Sequence, residues 1–192
     1  MDVKQKILRF LIENKERSFS INEISRNLKM DYKLIYTNTL KLGRGDIINI
    51  EDLGNMKRCS FKNKTDIFHE DIFIVENQRK KDLFKNKDFL AIYNRIKKIN
   101  QQFILILFGS YAKEKETKYS DIDLLLISDK EGSKIIENEL ELIPLKIHLT
   151  SVSYKDFIDM LKSREQSVVT EAIKKNIILF GLEDYYRLIS NV

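Results

Sequence analysis

Apolar residues at Val3, Ile7, Leu8, Leu11 and Ile12 recur with helical spacing, and Asn14 to Arg17 then interrupt them, which predicts a first helix over 3–12. Ile21, Ile24 and Leu28 make one apolar face of a short second helix over 21–28. Ser20 followed by Glu23 is a capping-box signature: the hydroxyl and the carboxylate each satisfy a free amide at a helix start. Asp31 can cap a third helix running to about Leu42, with Ile35, Thr39 and Leu42 facing inward and Lys33, Tyr36 and Thr37 projecting outward together. Leu34 and Leu40 fit neither face. Gly43 and Gly45 are expected to stop this helix, and the alternating segments 47–50 and 58–62 flank a turn with Gly54 and Asn55, which predicts a hairpin.

Beyond it, Ile67 to Val75 is an apolar stretch, followed by Arg79, Lys80, Lys81, Lys85 and Lys87 and by a helical pattern over 88–99 carrying Phe89, Ile92, Tyr93 and Ile96 on one side. No Pro-, Gly- or Ser-rich linker interrupts the region, so ordered helix is expected there. Phe103 to Phe108 is an unbroken apolar run, the pattern of a strand buried on both faces, and a second run covers Leu124 to Ile127. A helix over 133–142, a strand over 145–150, a helix with Phe157, Ile158 and Leu161 capped by Ser153 and Asp156, a helix over 168–176, a strand over 177–180 and a last segment over 183–189 complete the reading.

With 192 residues, 43% of them apolar and 10% aromatic, the chain can fill a core, which argues against disorder. Its 33% charged residues break every apolar run well short of a bilayer span, and Asp2, Lys4, Lys6 and Arg9 are wrong for a secretory signal, so a cytoplasmic location with no membrane partner is expected. One cysteine, Cys59, excludes an intramolecular disulfide and a thiolate zinc site, and the two histidines lie 79 positions apart. Any metal would have to be held by oxygen. Net charge is +5, and its distribution matters more than its size: residues 1–66 hold 14 Lys or Arg against 9 Asp or Glu, and residues 67–192 hold 20 of each. The excess positive charge of the first third points to an anionic partner for that part.

The order helix, helix-turn-helix, hairpin over residues 1–66 resembles the winged helix-turn-helix family of archaeal and bacterial transcription regulators. The resemblance implies a DNA partner: the third helix would enter a major groove with Lys33, Tyr36 and Thr37 toward bases or phosphates, while Lys57 and Arg58 on the wing touch the backbone. Winged helices often pair, and Leu34 and Leu40 are candidates for a homodimer surface.

The chemistry lies further along. The strand over 103–108 ends abruptly at Gly109-Ser110, and ten residues later comes Asp121-Ile122-Asp123. Side chains at i and i+2 of a strand share a face, so the two aspartates point the same way. Their mutual repulsion falls when a divalent cation sits between them. Gly109 lets the backbone approach a bulky anion, and Ser110 offers an amide and a hydroxyl to phosphate oxygens. The string from Phe108 to Ile127 resembles the signature of the nucleotidyltransferase superfamily that includes DNA polymerase beta, and is close to that of the minimal nucleotidyltransferases of archaea and bacteria.

That resemblance implies that Gly109 and Ser110 hold a nucleoside triphosphate, with Lys113 where the family often has arginine, and that Asp121 and Asp123 hold Mg2+ and act as catalytic residues. Glu114 replaces the glycine that usually follows, which puts the loop in doubt. A third acid is expected on the next strand, yet over 145–150 Leu145, Ile147 and Leu149 share one face and Lys146, His148 and Thr150 the other, with no acid among them. Lys146 could neutralise the aspartates in place of a cation, His148 could serve as ligand or base, or a small register shift could bring in Glu141. The fold expected is α/β: an N-terminal winged helix-turn-helix (1–66), a helical connector (67–100), and a nucleotidyltransferase-fold mixed sheet flanked by helices (101–192). The function expected is transfer of a nucleoside monophosphate, AMP from ATP, to a protein or RNA acceptor. The alternative is a catalytically silent DNA-binding regulator or antitoxin-like protein that retains the fold.

Overall fold

The structure, a computed structural model, describes residues 1–62, 69–163 and 165–191. The boundary expected at residue 66, and the beginning of the apolar stretch from 67, lie outside the described residues. The chain divides into two units, one formed by residues 1–77 with 189–191 and the other by residues 78–188.

In the first unit, helix α1 (Val3–Ile12) begins at Asp2, whose carboxylate accepts from the Gln5 amide while the Gln5 side chain returns to the Asp2 N–H. A two-residue strand β1 (Phe19–Ser20) precedes α2 (Ile21–Leu28), and the Ser20–Glu23 capping box forms as the sequence predicts. Helix α3 is Tyr32–Arg44, capped by Asp31, and Gly43 does not stop it: the helix runs on to Arg44 and is capped by Gly45. Gly43 has a packing reason instead, because a Cβ there would run into the side chain of Ile50. Strands β2 (Ile48–Asp52) and β3 (Lys57–Phe61) form an antiparallel hairpin, and β1 pairs with the other side of β3, so the sheet order is β1-β3-β2. Ile7, Leu8, Leu11, Ile24, Ile35, Leu42 and Cys59 are fully buried. Burial pushes the Cys59 thiol up to about 11, so it packs as a hydrophobe and is inert at neutral pH.

Helix α4 (Glu70–Leu83) carries the boundary between the units. Helix α5 (Lys87–Ile96) belongs to the second: Phe89, Ile92 and Ile96 lie in the same core as the second sheet. The region 67–100 expected as a connector is therefore not one element.

Strand β4 (Ile104–Phe108) leads through the short helix α6 (Gly109–Ala112) to β5 (Ile122–Ile127), α7 (Lys130–Glu141), β6 (Ile147–Val152), α8 (Tyr154–Ser163), α9 (Val168–Lys174), β7 (Ile177–Phe180) and α10 (Leu182–Ser190). The sheet order is β6-β5-β4-β7, with β5 and β6 parallel and the other pairs antiparallel. This is a mixed sheet with helices, as the nucleotidyltransferase resemblance implies. Leu105, Leu107, Ile122, Leu124 and Leu126 turn one face into a core shared with α5 and α7, while α9 packs on β4 and β5. Strand β6 starts two residues later than expected because the bend at Pro144 precedes it and pairing runs from Ile122↔Ile147 to Ile127↔Val152. Among the described residues no helix is long and apolar enough to cross a membrane.

Candidate functional site

The antiparallel register of β4 and β5 sets Phe108 opposite Asp123, so the chain turns into α6 directly beside that carboxylate. Gly109 takes φ +71 there, and a Cβ on it would overlap the Asp123 carboxylate. Glycine is therefore required twice, for a left-handed backbone and for the absence of a side chain. The bend and the acid that sequence alone placed fourteen positions apart are in van der Waals range.

Parallel pairing then places His148 of β6 beside Asp123 of β5, with His148 Nδ1 3.3 Å from Asp123 Oδ1. The His148 side chain is 68% exposed and that of Asp123 27%. Asp121 is exposed just before β5, where the Ile122 amide donates to the Lys146 carbonyl at 2.8 Å. Neighbouring Ile122 and Leu124 face the apolar core, which leaves the alternate position, Asp123, on the opposite face with His148. His148 thus stands where a third acid was expected. No ion pair joins Lys146 to either aspartate among the described residues. Glu141 ends α7 and lines a groove on the core-facing side of β6, so it does not complete the pair of acids. Glu139 is bound to Arg95.

The loop after Gly109 keeps the shape of a glycine-terminated helix without its glycine. Glu114 has φ +54, its amide donates to the Tyr111 carbonyl at 3.2 Å, and the Lys115 amide donates to the Ser110 carbonyl at 3.0 Å. This is a Schellman closure with a glutamate in the left-handed position. A glutamate in this conformation costs about 1 kcal/mol of backbone strain. Lys113 turns to α9, where its ammonium lies 3.4 Å from Glu171, itself 3.2 Å from Lys174. Hydrogen bonding to Lys174, and then to Lys113, holds the Glu171 carboxyl below its ordinary value. Sequence reasoning missed Glu171, and no local signal marks a partner 58 positions away.

A magnesium ion here would meet the Asp123 carboxylate beside the His148 imidazole, with the exposed Asp121 two positions before Asp123 in the chain. Among the described residues no group of three His, Cys, Asp or Glu side chains is arranged to hold a metal. Two carboxylates nevertheless suit magnesium when phosphate oxygens and water supply the remaining ligands, and the space kept open at Gly109 is where a phosphate chain can approach them. The donor set fits one such ion held jointly with a nucleotide.

In the first unit, Lys33 and Thr37 are exposed and Tyr36 half-buried on α3, with the Tyr32 and Tyr36 rings 6.0 Å apart. Thr37 donates back to the Lys33 carbonyl at 2.9 Å. Lys57 and Arg58 lie on β3, the middle strand of the sheet. Lys57 pairs with Asp52, which raises its pKa, and Arg58 sits near Glu23. Leu34 is 42% exposed and Leu40 half-buried.

Among family models, the one described as polymerase beta, nucleotidyltransferase matches residues 87–184. No curated protein and no solved structure matches the chain.

Proposed function

The chain belongs to the polymerase beta nucleotidyltransferase family, and on that premise we propose that it transfers a nucleoside monophosphate, AMP from ATP, to a protein or RNA acceptor. The observation that carries this reading is the approach of Gly109 to Asp123, which sets amides next to an acid with no side chain between them. Ser110 N–H and hydroxyl, with Lys113, hold the phosphates. Asp121 and Asp123 would hold magnesium, which supplies neutralisation of the phosphate charge when bound. An acceptor hydroxyl oxygen forms a bond to the α-phosphorus, the bond to the β-phosphate breaks, pyrophosphate leaves, and the hydroxyl proton passes to solvent. Asp123 lies on the sheet face opposite the α5–α7 core, 27% exposed and beside the Gly109 backbone, and His148 keeps that carboxylate in place. Incubation with labelled ATP and Mg2+ tests the reading: pyrophosphate release lost in Asp123→Asn supports it, and wild-type protein that neither binds nor turns over any nucleoside triphosphate ends it.

The N-terminal unit, in the same proposal, is a winged helix that binds DNA through Lys33, Tyr36 and Thr37, supported by the excess of positive charge in residues 1–66. Salt-sensitive DNA binding weakened by Lys33→Glu is the expected result. A second reading, a catalytically silent regulator or antitoxin-like protein, is favoured by His148 in the place of the third acid. It predicts nucleotide binding without pyrophosphate release.

A further inference from the structure

Strand β6 is the edge of its sheet, and its outer side has no pairing strand among the described residues. Its backbone directions follow from two bonds: the carbonyls of Lys146 and Val152 accept from Ile122 and Ser128 on the β5 side. Direction alternates along a strand, so Ile147, Leu149 and Ser151 turn their N–H and C=O groups outward. Edges of this length are ordinarily blunted by Lys, Pro, a bulge or a covering element. Residues 147–152, Ile-His-Leu-Thr-Ser-Val, contain no Pro and no Lys, Arg, Asp or Glu.

The two faces of this edge differ in kind. On one, Leu140, Ile143, Leu145, Ile147 and Leu149 with Glu137 and Glu141 line a groove of about 450 Å³. On the other lies His148, beside Asp123. A strand added to β6 would alternate in the same way, dropping every second side chain toward the groove and presenting the ones between on the acid face.

We propose that the outer edge of β6 receives an extended segment of a protein acceptor as a fifth strand, with apolar and basic side chains toward the groove and a hydroxyl side chain presented next to His148. The identification of the segment as an acceptor rests on the nucleotidyl-transfer reading. The class of partner comes from charge: the Glu137 and Glu141 carboxylates complement a basic peptide and repel the phosphates of RNA.

The test uses the full chain, without nucleotide, and a short fluorescently labelled peptide alternating valine and threonine with arginine at each end. Its counterpart has glutamate at each end. The arginine peptide binds and the glutamate peptide binds at least tenfold more weakly. Ser151→Pro removes an outward N–H while leaving the β5 ladder whole, and weakens binding roughly tenfold, the effect of a lost hydrogen bond or two. Because it also removes the hydroxyl that donates to Glu137 at 2.7 Å, Ser151→Ala, which loses that hydroxyl alone, is its control and binds the peptide within twofold of wild type. Glu137→Lys with Glu141→Lys weakens binding as the proline does, from helix α7, which covers the case of a proline variant that fails to fold. Equal binding of the two peptides, no binding of the arginine peptide, displacement by single-stranded RNA, or a dimer in sedimentation that Ser151→Pro dissociates would each overturn the proposal. Peptide binding by a protein that never uses a nucleotide defeats the transfer reading and leaves the docking edge standing, whereas nucleotide turnover without peptide binding does the reverse.

Discussion

The N-terminal hairpin and the Gly109–Asp123 end of the C-terminal sheet treat their polar side chains in opposite ways. In the N-terminal sheet they are matched locally: Lys57 with Asp52 across the hairpin, Lys62 with Asp46 at 2.5 Å, Ser20 with Glu23 at the start of α2. In the C-terminal sheet, Asp121 and Ser110 have no side-chain partner among the described residues, and Asp123 has only the long contact to His148. A carboxylate kept part-buried against a glycine backbone without a protein cation is a cost that folding alone has no reason to bear. Paired charges hold a hairpin together, whereas the unpaired ones are left available to a ligand.

The comparison is broken most severely at its glycines. Gly54 and Gly109 share a positive φ, but a Cβ on Gly54 meets nothing within 4 Å, while one on Gly109 meets the Asp123 carboxylate. Gly109→Ala should destabilise the protein by about 2–4 kcal/mol, from left-handed strain plus overlap, and abolish nucleotide binding. Gly54→Ala should cost only about 1 kcal/mol and leave nucleotide binding alone. Denaturant melts and nucleotide titrations of both variants read the difference.

Next in size is Asp123→Asn. It should lower transfer roughly 100-fold or more, as expected for loss of a group aligned on the reacting phosphates, yet change stability by no more than about 0.5 kcal/mol. A large loss of stability would mean that Asp123 is a structural acid like Asp52. Glu114→Gly relieves the left-handed glutamate and should stabilise the second unit by about 1 kcal/mol, seen as a raised melting temperature with unchanged nucleotide affinity.

The smallest effect concerns Glu171. Its carboxyl is lowered below an ordinary 4.5 in the folded protein by Lys174 and Lys113. The stability it contributes is therefore fully present above that ordinary value and is lost as pH falls through the lowered one. Glu171→Gln should lower the melting temperature slightly at neutral pH and not at all in acid. Because both lysines and the carboxylate are over a third exposed, the neutral-pH difference is expected to be small.

Local signals carried much of the fold. The capping box of Ser20 and Glu23 and the spacing of Ile21, Ile24 and Leu28 delimit α2 because every group involved lies within one or two turns. Strand β7 runs over residues 177–180 as its apolar run predicts. Helix α3 was less legible at its end. Glycine ordinarily terminates a helix, but the residue that explains Gly43 is Ile50, on a strand not yet formed when the helix pattern is read. Helix α7 likewise begins at Lys130, three residues before the pattern suggests, because Asp129 caps it through the Gly132 amide at 2.7 Å.

The sequence by itself determined the chemical inventory: a glycine-serine bend at the end of one apolar strand, two acids at alternate positions opening another, and no acid on the strand that follows. These are consequences of period and residue type, which are fixed along the chain. Tertiary structure decided the partners. Pairing of β4 with β5 brought Asp123 over Gly109, the parallel crossover through α7 set His148 beside it and left one side of β6 open, and the packing of α9 delivered Glu171 to Lys113. Strand register and helix docking are set by the burial of whole faces, and no short window of sequence contains that information.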